Sequence, residues 1–393
     1  MASVIVHHTT PFDTTERYGR GVARAQEARN RLRRWIDYSG VPGLVLTSPA
    51  AVAWACGGMP PPVDRTAATD MVWAVVSAEG CWLVTTNVEA ERIRAEYDPA
   101  AHGFASLAEV PWYAPDDYAA AAADLAGVPA ERLASDGHPA FGQDATSDLI
   151  ALRLELSPAE RDDLADLGAD AARAAQDALA HWRPGERDLD IQARCAAGLE
   201  AAGADTPVLI VGGDDRLERY RHPMAAGAPV RRLAMVVVVA RRGGLHVALT
   251  RFAAAAPDDG YARLRARVLR IEDAVLAACV PGATYGQALE SLASGYTRVG
   301  AENEWKHHYQ GGPIGFAQRE FEIAPGQDAS RWYDERIAAG HAVAWNPSLP
   351  GGAKSEDTYL VTAAGVDRVT SAAGWPVEPD DSRRRPAVLE VGT

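Results

Sequence analysis

The stretch Leu233-Ala-Met-Val-Val-Val-Val-Ala-Arg-Arg-Gly-Gly-Leu-His-Val-Ala-Leu-Thr-Arg-Phe252 decides what kind of fold this chain can adopt. Leu233 to Ala240 is the longest purely apolar run in the sequence. It is far shorter than the roughly 20 residues a membrane-spanning helix needs, and its run of valines favours a strand. Arg241-Arg-Gly-Gly244 supplies a hairpin, and Leu245 to Phe252 reads as the returning strand. Outward from this pair, a strand is expected over Pro207 to Val211 and a loop from there to His222. Helices flank it. Ser157-Pro-Ala-Glu160 is a capping box with proline in the first helical position, opening an alanine-rich helix to about Trp182. A turn at Arg183 to Leu189 leads into a second helix up to Ala202. Beyond the hairpin, helices are expected over about Asp258 to Val280 and from Pro281-Gly-Ala-Thr-Tyr285 to about Gly300.

The front of the chain alternates between helix and strand. A helix is expected around Gly21 to Tyr38 and a buried strand over Gly43 to Thr47. Strands Met71 to Ser77 and Cys81 to Thr86 are joined by a tight turn at Ala78-Glu-Gly80. A helix over Asn87 to Tyr97 follows, with Asn87 as its cap. The expected class is α/β (α+β), with one domain over residues 1–152 and a second over 153–393.

Composition excludes several roles. The chain is 47% hydrophobic and 23% charged, which is ordinary for a globular protein and rules out disorder as the main state. With 39 Lys and Arg against 53 Asp and Glu, the net charge of −14 repels phosphate, so no nucleic-acid partner is expected. The opening MASVIVHHTT has no basic segment before an apolar core, so no secretion signal and no membrane association are expected. The four cysteines form no CxxC pair, and a reducing cytoplasm is the expected location.

Six short motifs then occur in order. They are His222-Pro223; Gly244-Leu-His-Val-Ala-Leu-Thr-Arg251; Val280-Pro-Gly-Ala-Thr284; His308-Tyr-Gln-Gly-Gly-Pro-Ile-Gly315; Ala344-Trp-Asn-Pro347; and Ser355-Glu-Asp-Thr-Tyr-Leu-Val-Thr362. Their order over about residues 150–370 resembles the pita-bread superfamily of methionine aminopeptidase, aminopeptidase P, prolidase and creatinase. Thr86-Asn-Val-Glu-Ala-Glu-Arg92 resembles the N-terminal domain of its creatinase and prolidase branch. The resemblance implies a creatinase-like α/β domain followed by a pita-bread domain, and a homodimer with the active site near the interface.

The resemblance also implies a dinuclear metal site of five carboxylate and histidine ligands, because two divalent cations need several anionic oxygens to share a hydroxide. Here those positions fall on Val237, Ala248, Gly312, Asn346 and Glu356, and only Glu356 keeps its residue type. No metal and no cofactor are therefore expected. Gly311-Gly312 is expected to leave open the space of the lost metal histidine.

Creatinase, a metal-free member, gives the resemblance its first functional meaning. By motif position His222 would be the general acid/base, Glu356 would orient the substrate, and His308 would face the pocket. Arg319 and Arg65 would bind a carboxylate, Arg65 from across a dimer. His246 and Asn346 are further candidates for substrate contact. The expected function is metal-independent cleavage or rearrangement of a C–N bond in a small carboxylate-bearing substrate, within specialised metabolism. The alternative is a non-catalytic pseudopeptidase that binds a peptide or small ligand, as pita-bread domains of histone chaperones do. A metal site rebuilt from His222, His246, His308 and Glu356 is a third reading.

Overall fold

The computed structural model describes residues 14–59, 63–256, 258–325, 330–379 and 381–391. The front half is built on a six-stranded sheet, in the spatial order Ser106–Val110, Cys81–Thr86, Val72–Ser77, Gly43–Leu46, Ala134–Ser135 and Gln143–Asp144. Its three middle strands, Cys81–Thr86, Val72–Ser77 and Gly43–Leu46, are apolar at nearly every position because both faces are covered. Neighbouring side chains alternate between those faces. Leu44, Leu46, Ala74, Val76 and Leu83 face one way, packed with Leu32 and Ile36 of helix Thr14–Ser39. Val45, Trp73, Val75 and Val84 face the other way, packed with Tyr118 and Ala122 of helix Asp117–Ala126. The helix expected over Asn87 to Tyr97 is shorter, Ala90–Glu96, and Asn87 does not cap it. Asn87 instead accepts from Trp112 N at 3.0 Å, while Thr86 Oγ1 takes the Glu89 N–H.

The second half contains two four-stranded sheets. One has the order Leu389–Glu390, Leu245–Ala254, Leu233–Arg242 and Asp205–Gly213; the other runs Gly311–Ile314, Ala342–Trp345, Asp357–Thr362 and Gly365–Arg368. The hairpin is tighter than its sequence predicts. Arg242 pairs with Leu245, leaving only Gly243 and Gly244 in the turn, at φ +55° and +82°. Two positive φ values in succession match the twist of the strands and favour glycine at both positions. Helix Pro158–Ala180 carries the expected capping box, with Ser157 and Glu160 bonded to each other's backbone N–H. Helix Tyr285–Arg298 carries another, from Thr284 and Gln287. Among the described residues no helix is long and apolar enough to cross a membrane.

The two sheets are stitched at one seam, along the returning hairpin strand. His246 N donates to Gly315 O at 2.7 Å, Ala248 N to Thr358 Oγ1 at 2.8 Å, and Thr250 N to Glu356 O at 2.9 Å. Three of the six sequence motifs meet there.

Candidate functional site

The extended chain around Glu356 sorts its side chains by alternation. Ser355 and Asp357 point to the scaffold. Ser355 Oγ donates to the buried Glu272 at 2.7 Å, and Asp357 receives Arg251 at 2.7 Å and Thr370 Oγ1 at 2.6 Å. Lys354, Glu356 and Thr358 point the other way, toward the hairpin strand. Thr358 Oγ1 also donates to Ala248 O at 3.0 Å. Glu356 Oε2 accepts from Thr250 Oγ1 at 2.8 Å and pairs with Lys354 Nζ at 3.0 Å. Both members of that ion pair are almost fully buried, at 9% and 7% side-chain exposure.

His222 lies on the loop after the short helix Asp215–Arg219 and is exposed. Its ring makes no hydrogen bond to a described residue. Partial burial lowers its pKa, the nearby Lys354 and Arg221 charges lower it further, and Glu356 opposes them. Its imidazole is therefore neutral at pH 7 and close enough to Glu356 to feel its charge.

His308 is held differently. Nδ1 lies 2.7 Å from Tyr309 O, which makes Nδ1 the donor and leaves Nε2 to accept from Ser348 Oγ at 2.8 Å and Gln310 Nε2 at 3.1 Å. Ser348 Oγ in turn accepts from Arg221 at 2.9 Å, and Arg221 pairs with Glu304 at 2.6 Å. Burial first, then Arg221 and Lys354, push the His308 pKa down to about 4. His308 is thus a neutral link in a bonded chain, whereas His222 is free to exchange protons. Asn346 lies beside Glu356. In the amide orientation that satisfies both of its ends, its nitrogen donates to Tyr309 O at 2.8 Å and Gln310 O at 3.2 Å.

The remaining candidates lie elsewhere. His246 shares the strand face of Ala248 and Thr250, but with Arg65 it lines a separate cavity of about 560 Å³ against the front half of the chain. Burial pushes its pKa down to about 4. Arg65 pairs with Glu200 at 2.9 Å. Arg319 pairs with Glu322 and stacks over the Tyr309 ring at 4.7 Å. Within one chain neither arginine joins Glu356. Sequence reasoning overlooked Lys354, Thr250, Ser348 and Arg221. The signal was available, since Lys354 is two residues before Glu356 on the same face and Arg221 adjoins His222. A groove of about 1910 Å³ runs along helix Asp259–Ala278 and the C-terminal segment, and none of the sequence candidates lines it.

The positions of a dinuclear metal site are rebuilt. Val237 packs with Ile210, Leu217, Met235 and Phe252. Gly312 has φ +143°, and a Cβ there would meet Ile323 Cδ1 at 2.9 Å. The space of a histidine at that position is therefore filled by Ile323, not left open. Among the described residues, no three His, Cys, Asp or Glu side chains gather to hold a metal ion. A pair of divalent cations does not fit beside Glu356, whose charge is already met by the Lys354 ammonium.

Structures with this fold are numerous. The dipeptidase PepE from Mycobacterium ulcerans superposes with a TM-score of 0.69 at 22% identity, covering 96% of this chain and 98% of that one. The prolidase from Pyrococcus horikoshii gives 0.68 at 16% identity, with 89% and 98% covered. The N-terminal domain of the FACT complex subunit SPT16 from chickpea gives 0.61 at 12%, with 90% and 96% covered. No curated protein matches the sequence. At these identities the likeness is one of fold, the two-domain pita-bread architecture that the motif order implied. The profile of metallopeptidase family M24 matches residues 164–363, just over half of the chain, and contains the hairpin, the His222 loop and Glu356. The chain therefore belongs to metallopeptidase family M24.

Proposed function

We propose that this chain is a metal-independent acid/base enzyme that cleaves or rearranges a C–N bond in a small substrate bearing a carboxylate. The observation that carries the reading is the Lys354–Glu356 ion pair at 3.0 Å, whose two charges both reach the unbonded imidazole of His222. A fixed cation stands beside the one retained ligand position, and a titratable base lies within reach of both charges. In hydrolysis, the neutral His222 takes a proton from water as the oxygen bonds to the substrate carbon. It then returns that proton to the nitrogen as the C–N bond breaks. Glu356 orients an N–H of the substrate by a charge-assisted hydrogen bond. His308, Ser348 and Arg221 hold the wall of the site.

The test is turnover with and without chelator on amidino, N-acyl and Xaa-Pro compounds. Chelator-resistant turnover should fall about 10²–10⁴-fold in His222→Ala, with folding unchanged. The rate should also fall as the pH drops and His222 takes up a proton. Chelator-sensitive turnover, or an unaffected His222→Ala variant, would refute the reading.

A second reading, a pita-bread domain that binds without turnover, is favoured by the apolar packing at Val237 and Ile323. Under it, His222→Ala alters no reaction on any compound.

A further inference from the structure

The sequence contains only two lysines, Lys306 and Lys354, and the rest of its 39 Lys and Arg side chains are arginines. Lys306 lies at the surface over the Trp305 ring. Lys354 is buried in the seam and also forms part of the wall of a cleft of about 230 Å³, between residues 217–221 and 348–354. Arg219 and Arg221 line the same cleft. Arg219 is exposed and has no carboxylate partner among the described residues. Arg221 is held by Ser348 and Glu304. The lining contains one carboxylate, Glu218, which lies 4.0 Å from Arg232 outside the cleft. A chain of net charge −14 thus gathers three cations around a cleft of small-molecule size.

The type of each cation matters. An ammonium is a compact point charge with three donors, so Lys354 can hold a Glu356 oxygen and still offer an N–H toward the cleft. A guanidinium such as Arg221 presents a planar fork that suits two carboxylate oxygens. Burial is the first cause of the lowered pKa of His222 and His308, and the Lys354 and Arg221 charges add to it at both.

We propose that this cleft is the carboxylate subsite, with Lys354 and Arg221 as its walls, Arg219 on its rim, and Lys354 shared between the bound anion and Glu356. The inference rests on the acid/base reading for its place in a reaction, but as a binding site it can be tested alone. It assigns the carboxylate to residues of one chain, not to Arg319 or to Arg65 of a partner.

The experiment uses the full chain with 13Cε-lysine, which yields two lysine resonances, assigned with Lys354→Arg and Lys306→Arg variants. Succinate is added to about 20 mM, enough to nearly fill a site of millimolar Kd, against chloride at equal ionic strength. The expected result is a saturable shift of the Lys354 signal with succinate only, and none for Lys306. Arg221→Gln should weaken saturation about tenfold, and the surface variant Arg219→Gln about threefold. A Lys354 signal that does not move, or that moves equally with chloride, overturns the proposal, as does normal succinate affinity in both arginine variants. Saturable binding without turnover on any compound leaves the subsite standing and removes the acid/base reading. His222-dependent turnover without a succinate response does the reverse.

Discussion

Glu320 and Glu356 are both buried glutamates, each paired with a cation, yet they are built to different ends. Glu320 is fully satisfied. Its Oε2 receives the Arg153 fork at 2.9 and 2.7 Å, and its Oε1 receives the Phe316 and Ala317 N–H groups at 2.7 and 3.1 Å. Nothing is left for a ligand, so it acts as a clasp holding the 316–320 loop to helix Thr146–Leu154. Glu356 spends one oxygen on Thr250 and Lys354, while the other has, among the described residues, no bond shorter than the 3.5 Å to the Asn346 amide, and its charge reaches the unbonded His222. Saturation of donors marks a structural carboxylate, and a spare oxygen beside a titratable group marks a candidate for chemistry.

The contrast is open to test. Glu320→Ala should cost about 3–5 kcal/mol of stability by chemical denaturation, because it leaves a buried guanidinium unpaired. Equal stability would remove Glu320 from the scaffold. Restoring a metal-type side chain by Gly312→His should cost about 1–3 kcal/mol, since it strains a φ of +143° and drives a Cβ into Ile323. Adding Ile323→Ala should recover only the steric part. An unaffected melting temperature would mean that the seam can reopen.

Acid should separate buried histidines from the exposed His222. His246 and His341 are both pushed down to about 4, by burial first. Their folded-state values lie below the unfolded value of about 6.5. Between those limits the unfolded chain binds more protons, so their contribution is full above pH 6.5 and is lost as pH falls toward 4. Each should contribute about 3 kcal/mol over that window. The slope should flatten in a His246→Gln, His341→Gln double variant; an unchanged slope would assign acid sensitivity to other groups. The smallest effect is expected at Glu356→Gln, about 1 kcal/mol of stability, because the amide keeps the shape of the carboxylate and an oxygen that still accepts from Lys354 and Thr250. A loss as large as that of Glu320→Ala would make Glu356 a second clasp and break the comparison.

Much of this frame was legible in local signals. The run of valines and the glycine pair marked the central hairpin, and the capping box at Ser157 marked a helix start, because turns and caps are written in neighbouring residues. Asn87 misled because an Asn side chain can serve a remote N–H as well as a helix end. The candidate site was half legible. His222, His308, Asn346 and Glu356 could be placed by motif position, and the structure gathers them near the seam. Lys354 and Arg221 were passed over because no motif position marked them. Their roles depend on partners across the seam, Ser348 for Arg221 and Thr250 sharing the Glu356 oxygen with Lys354.

By itself the sequence determined the central hairpin and the main helices, since these follow from residue type and short spacing, and its resemblance to a family implied the loss of metal-ligating side chains. The tertiary structure decided what replaced the metals. Ile323 fills the space beside Gly312, Val237 joins an apolar cluster, and Lys354 answers the Glu356 charge. The first two are contacts between distant segments, which no local pattern writes; the third joins neighbours two residues apart on one strand face, and only the burial of that face makes it an answer to the Glu356 charge.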